Sequence, residues 1–329
     1  MIASRWSRVL QIFKGWGLAV MTAGLMGSAV AAPSDSTQFD DGRAAFAVQF
    51  GETVVRHRIM AVTALPDTAI RIAVEPGLAE GHYRIEAPEP HVVPLSDSSW
   101  RFATPSDPGL YPVVVTDAQS GATVRLQVFV LAPWDHEGRR LNGYHIGRYE
   151  REPRNGRAVY EPPEGFVEVT AENKDARVAP HFRLDQFLCK QTEDTPQYAL
   201  VRSRLLRHLE KVLAAINAKG HDASTLHVMS GYRTPYYNRA LLGNTTEYSR
   251  HLYGDAADVY VDADGDQWMD DLTGDGRGTR ADAEHLADIV QGVPTPGDDR
   301  FIGGLSTYGS TAAHGPFVHL DLRGRHVRW

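Results

Sequence analysis

The hydrophobic pattern changes character along the chain. Over roughly 44–134 the apolar residues come in short alternating or β-rich runs, as in Phe46-Ala47-Val48-Gln49-Phe50, Ile70-Arg71-Ile72-Ala73-Val74 and Val124-Arg125-Leu126-Gln127-Val128. Turn-forming clusters separate them, among them Ser106-Asp107-Pro108-Gly109 and Gln119-Ser120-Gly121. This predicts an all-β sandwich over residues 41–135, with a length and strand spacing that fit an immunoglobulin-like module. Residues 136–178 are rich in Arg, Glu, Pro and Gly and read as a linker with little regular structure. Beyond them the period lengthens. Leu205, Leu209, Val212, Leu213 and Ile216 recur on one helical face, predicting a helix over 197–218 that Gly220 closes. Strands are expected at 225–229, 257–261 and 317–323, a turn at 230–235, a short helix at 236–242 and a longer one at 281–291.

The N-terminus has a different signature. Arg5, Arg8 and Lys14 precede an apolar stretch over 16–30, and the small residues Ala29 and Ala31 fit cleavage after Ala31, so residues 1–31 read as a secretory signal. The apolar run is shorter than the roughly 20 residues of a spanning helix, and no stable membrane span is expected once the signal is removed. Export permits disulfides, but the chain has one cysteine, Cys189, in the apolar patch Phe187-Leu188-Cys189 of an expected helix, where it is expected to be a small buried hydrophobe. The chain is 329 residues long and its net charge is −7, with no run of Lys and Arg, which argues against a nucleic-acid partner.

The stretch that points to chemistry is Ser249-Arg250-His251-Leu252-Tyr253-Gly254-Asp255-Ala256-Ala257-Asp258. It sets a histidine and an aspartate around a glycine and small residues, so the two groups are able to converge on a metal without bulky side chains between them. Near the other end, Phe317-Val318-His319-Leu320-Asp321-Leu322-Arg323 alternates so that His319 and Asp321 share a strand face with Phe317 and Arg323. Two histidines and one aspartate would leave a coordination position open for catalysis, whereas a closed structural site more often uses cysteines.

Together with Ser230-Gly231-Tyr232-Arg233-Thr234, these segments resemble the M15 family of zinc D-Ala-D-Ala-type peptidases, and within it the branch of murein endopeptidases. The resemblance covers about 178–329, including Ala179-Pro180-His181-Phe182-Arg183-Leu184-Asp185-Gln186-Phe187 and Gly303-Gly304-Leu305. It implies an α+β zinc peptidase domain over 179–329, with an antiparallel sheet and flanking helices. It implies His251, Asp258 and His319 as zinc ligands, peptidoglycan peptides as substrate and, with the signal segment, a periplasmic location. The N-terminal sandwich has no counterpart in it, and its partner stays open.

Arg233 is expected to hold a substrate carboxylate or a developing oxyanion, with Tyr232 and Asn238 shaping the pocket. Many family members place a carboxylate three residues before the last histidine, where this chain has Pro316. The candidate proton carriers are therefore Asp321 and His314. That departure keeps an alternative open, a non-catalytic zinc-containing peptidoglycan-binding or scaffolding protein. Finally, Asp262, Asp264, Asp266 and Asp270 alternate like the ligands of a calcium loop, although glycine falls at loop position 4 rather than 6 and Thr273 replaces the closing glutamate. A calcium-dependent adhesion protein would rest on this loop and the sandwich.

Overall fold

The computed structural model describes residues 39–75, 82–88, 91–191, 196–243 and 248–329. The expected signal segment, 1–31, lies outside them. Among the described residues no helix is long and apolar enough to cross a membrane.

The alternating runs of the N-terminal part form two sheets. The first has the strand order Thr53–His57, Arg43–Phe50, Ala69–Val74, Ser99–Ala103, Val92–Ser96, antiparallel throughout. The second runs Ile59–Ala64, Thr123–Val130, Gly109–Asp117, Tyr83–Glu86, its first pair parallel. Val48, Phe50, Ile72 and Phe102 from one sheet and Met60, Val113, Leu126 and Val128 from the other are buried in a common apolar cluster, while Arg71 and Arg125 between them are exposed. Burial of a Val, Leu or Phe side chain is worth about 1.5–3 kcal/mol, so this β-rich region has ample drive to pack.

Residues 136–178 depart from the expectation of little regular structure. Arg140–Leu141 pairs with Tyr144–His145, and Gly165–Val169 lies between Ala132–Pro133 and Gln197–Ala199. Tyr144, Ile146, Tyr160 and Phe166 are fully buried. The apolar residues come in pairs and short runs between prolines and charges, too short to set a period, yet these four are covered by core.

The C-terminal part is built on a five-stranded sheet. Its strands are β1 (His227–Ser230), β2 (Ala256–Tyr260), β3 (Gly304–Tyr308), β4 (Phe317–Asp321) and β5 (Val327–Arg328), in the order β1-β2-β4-β3-β5. All neighbours are antiparallel except β3 and β5. Helix α1 (Ser203–Asn217) buries Leu205, Leu209, Val212, Leu213 and Ile216, as its period requires. It starts later than expected because Gln197–Ala199 is drawn into a strand against Gly165–Val169. Gly220 follows α1 at φ +91°, a conformation open to glycine. Ser203 Oγ and Arg207 donate to the carbonyls of Ala61 and Val54 at 2.7 and 3.1 Å, fixing α1 to the N-terminal strands.

Helix α2 (Arg280–Gly292) opens with a capping box formed by Thr279 and Asp282 and packs on β3 and β4. Cys189 is buried, though outside any helix, and burial pushes its thiol pKa up, away from nucleophilic use.

Candidate metal centre

The turn Arg250–Tyr253 carries His251, and close approach shapes its surroundings. Gly254 sits at φ +62°, where a Cβ would meet the carbonyl oxygen of Leu200 at 2.6 Å. A Cβ on Gly231 would meet the backbone of Phe187 at 2.7 Å. Gly231 also presents its carbonyl to His251 Nδ1 at 2.6 Å, and since a carbonyl only accepts, Nδ1 carries the proton and Nε2 is left as a donor atom for a metal. Burial lowers the His251 pKa and favours that neutral ring.

Asp258 on β2 and His319 on β4 are direct cross-strand partners, so the antiparallel register sets them side by side. His319 Nδ1 lies 2.8 Å from Asp258 Oδ1, and His251 Nε2 lies 3.2 Å from His319 Nδ1 and 3.3 Å from Asp258 Oδ1. Asp321 follows on the same face of β4, with Oδ2 at 3.0 Å from His319 Nε2. Burial opposes the charge of His319, but its hydrogen bonds to Asp258 and Asp321 prevail and raise its pKa to about 9. Burial likewise opposes ionisation of Asp258, yet the neighbouring His251 and His319 hold it well below the usual carboxylate range.

Three buried donor atoms, two imidazole nitrogens and one carboxylate oxygen, thus face one another within 4.8 Å. They fit a divalent metal. Two carboxylates face His319 from opposite sides and demand positive charge there, and each ring has its far nitrogen anchored by a protein acceptor.

A pocket of about 400 Å³ opens onto these residues. Besides the three donors it is lined by Arg154, Arg233 and Arg323, by Tyr248, Ser249 and Arg250, and by an aromatic wall of Tyr308, Phe317 and Trp329. Tyr308 and Phe317 stack at 4.6 Å, Trp329 Nε1 donates to the Tyr308 hydroxyl at 2.7 Å, and the Trp329 ring centre is 5.2 Å from that of His319. Asp258 is the one carboxylate lining the pocket among the described residues.

The structure separates the other expected site residues. Arg233 lines the pocket, where its Nε donates to Ser230 Oγ at 2.7 Å and its Nη2 to Asp258 Oδ2. Its charge is thus already paired with a metal-ligand candidate. Tyr232 and Asn238 are buried and do not line the pocket. The Tyr232 hydroxyl lies 3.0 Å from that of Tyr149 and forms part of the core. His314 is also outside the lining, with Nδ1 2.8 Å from the Gly315 carbonyl and its ring edge-on to Phe317.

Asp321 is fully buried and heavily bonded. Its Oδ1 accepts from the amides of Gly304 and Arg323 and from Arg323 Nε at 2.7 Å, while Oδ2 accepts from His319 and Arg323. A Cβ at Gly304 would collide with this carboxylate, which accounts for the glycine. Burial, though unfavourable to charge, is outweighed by His319 and Arg323, so the carboxyl stays ionised, an arrangement that suits a partner orienting His319.

Arg154, Tyr248, Tyr308 and Trp329 were not singled out by sequence reasoning. Arg154 comes from the expected linker. The neighbouring segment is pinned to the His251 turn by Arg250, which is sandwiched between the rings of Tyr160 and Tyr253 at 4.8 Å from each and bonds Asp255 at 2.7 Å and the Val159 carbonyl.

In the acidic loop, Asp262, Asp264 and Asp270 converge, and Asp266 does not join their group. Asp266 accepts instead from the Trp268 amide at 2.7 Å.

Residues 180–271 match the family model of Peptidase M15, a segment that contains Arg233, His251 and Asp258 and ends before His319. No curated protein matches the chain. Residues 180–271, which carry the converging donors His251 and Asp258, are thus similar to peptidases of the M15 family.

Proposed function

We propose that the protein is a zinc-dependent peptidase that hydrolyses amide bonds in the stem peptides or cross-links of peptidoglycan. The carrying observation is the buried convergence of His251, Asp258 and His319 at the floor of a pocket walled by arginines and aromatic rings. Their two nitrogens and one oxygen are zinc's usual donors in a catalytic site. The likeness of residues 178–329 to murein endopeptidases supports the substrate. So does the cationic wall, since stem peptides carry free carboxylates.

In this reading His251 Nε2, His319 Nδ1 and Asp258 hold the ion, and Gly231 and Asp321 keep the two rings in register. The bound zinc supplies a Lewis acid that polarises the scissile carbonyl and acidifies water. Arg233, anchored by Asp258 and Ser230, keeps positive charge beside the carbonyl oxygen as it becomes anionic. Arg154 is held over the Tyr248 ring at 5.5 Å, while Arg233 and Arg323 are engaged by Asp258 and Asp321, so Arg154 is the guanidinium best placed to receive a substrate carboxylate. Tyr308, Phe317 and Trp329 would give the substrate an apolar surface beside the metal donors. An N-terminal signal would deliver the enzyme to the periplasm, and the β-rich region, read as an immunoglobulin-like sandwich, would position it on the wall.

One observation favours a second reading, a non-catalytic zinc-containing peptidoglycan-binding protein: among the described residues the lining offers no carboxylate beyond Asp258, and Asp321 is fully engaged. Purified sacculi incubated with the zinc-loaded protein, followed by chromatography and mass spectrometry, separate the two. New muropeptides that vanish with a chelator support the peptidase. Binding of sacculi with zinc retained and no product contradicts it.

A further inference from the structure

The segment following β2 brings one carboxylate oxygen from each of Asp262, Asp264 and Asp270 within 4.8 Å of the others. Like charges at that separation repel unless a cation lies among them. Acidic residues on a loop commonly relax into water, but Asp262 does not have that freedom. Its side chain is only 6% exposed, and although Oδ2 lies 3.2 Å from the Gln267 amide and 3.5 Å from His227 Nδ1, Oδ1 is buried with no hydrogen-bond partner. A buried carboxylate oxygen left unmatched is costly, and a metal ion is one of the partners that removes the cost.

The backbone agrees with the same reading. Counting Asp262 as loop position 1 puts Asp264 at 3, Gln267 at 6 and Asp270 at 9, the ligand and turn positions of a calcium loop. Such a loop turns sharply at position 6, ordinarily on a glycine. Here Gln267 makes that turn at φ +65°, so the missing glycine noted in the sequence does not disrupt the geometry.

We propose that Asp262, Asp264 and Asp270 form a second metal site, distinct from the His251–Asp258–His319 centre and selective for calcium. The donors are carboxylates without imidazole or thiolate, the set a hard cation prefers and zinc does not. The loop that holds the site follows β2, which carries Asp258, and includes Trp268, whose indole lies so close to Gly315 that a Cβ there would meet it at 3.0 Å. Gly315 lies two residues before Phe317, the first residue of the strand that carries His319. Calcium would thus order the loop after β2, whose Trp268 packs beside the segment leading into β4.

The test uses the full chain with zinc already bound, so that calcium binding is read separately from peptidase activity. Calcium affinity is measured by calorimetry. Terbium occupancy is measured by luminescence excited through tryptophan, since Trp268 is the aromatic residue within the loop. The expected result is saturable calcium binding, terbium emission that calcium displaces, and a loss of at least about tenfold in calcium affinity in Asp264→Asn with zinc content unchanged. Trp268→Phe should lose most of the emission while still binding calcium. Asp264 is exposed, so its replacement leaves the core intact. Asp271→Asn is the control, because Asp271 in the neighbouring turn already accepts the amides of Gly274 and Gly276 at 2.6 and 2.5 Å. Absence of calcium binding by the zinc-loaded protein would overturn the proposal, as would a loss that follows Asp271→Asn and spares Asp264→Asn.

Discussion

The N-terminal sheets and the C-terminal sheet are written in the same alternating pattern, but they dispose of their polar positions differently. In the N-terminal strands the polar alternates, such as Arg71 and Arg125, stand in solvent. In β2 and β4 every position is buried, and there the polar alternates are Asp258, His319 and Asp321. A buried ionisable group without partners costs several kcal/mol, so a strand that buries them on one face must match each with another group or an ion. The same contrast separates histidines. Burial, with a smaller push from nearby cations, depresses His57 to about 4 and His208 to about 3, whereas the carboxylates around His319 raise it to about 9. Burial makes a core; burial with opposed charges makes a site.

The largest effect that should sharpen this contrast is Asp258→Ala. It removes the residue that faces His251, His319 and Arg233 together, and should abolish both stoichiometric metal and measurable hydrolysis. Leu126→Ala in the N-terminal sheet should instead cost about 2–5 kcal/mol of stability in denaturant unfolding and leave metal content intact. Equal loss of metal in both variants would break the comparison. Next in size, Asp321→Asn keeps the shape but weakens the partner of His319. Zinc affinity, measured by competition with a chelator, should fall about 10- to 100-fold.

Arg154→Ala should raise KM by about tenfold for peptides bearing a free carboxylate, with kcat little changed, and should do nothing for their amidated counterparts. An equal effect on both substrates would remove Arg154 from carboxylate recognition.

The smallest effect is a slope. His57 and His208 have folded pKa values below the ordinary 6.5, so between about 6.5 and 4 the unfolded chain binds more protons and stability falls as pH falls. His57→Gln should flatten this acid limb by up to about 1.4 kcal/mol per pH unit in unfolding measured across that range. An unchanged slope would mean that His57 takes up its proton while folded.

Much of the metal centre was legible because its parts are local signals. The Gly254 turn, the small residues of β2 and the alternation in β4 each constrain where His251, Asp258 and His319 go. The strands of the site and the body of α1 followed from period alone. What the pattern hid was pairing at a distance. Gln197–Ala199 looks helical until Gly165–Val169 recruits it, and Phe166 and Tyr160 look like linker residues until a core covers them. Asp321 had the correct face, but only the fold shows that Gly304 and Arg323 occupy its oxygens. Arg154 and Trp329 reach the pocket from segments that no motif joins.

The most direct test of the central claim is diffraction from zinc-loaded crystals on both sides of the zinc absorption edge. The expected result is an anomalous peak bounded by His251 Nε2, His319 Nδ1 and Asp258, with His319 Nε2 still on Asp321. A peak elsewhere, or none at full zinc loading, would contradict the assignment of these residues as the metal centre.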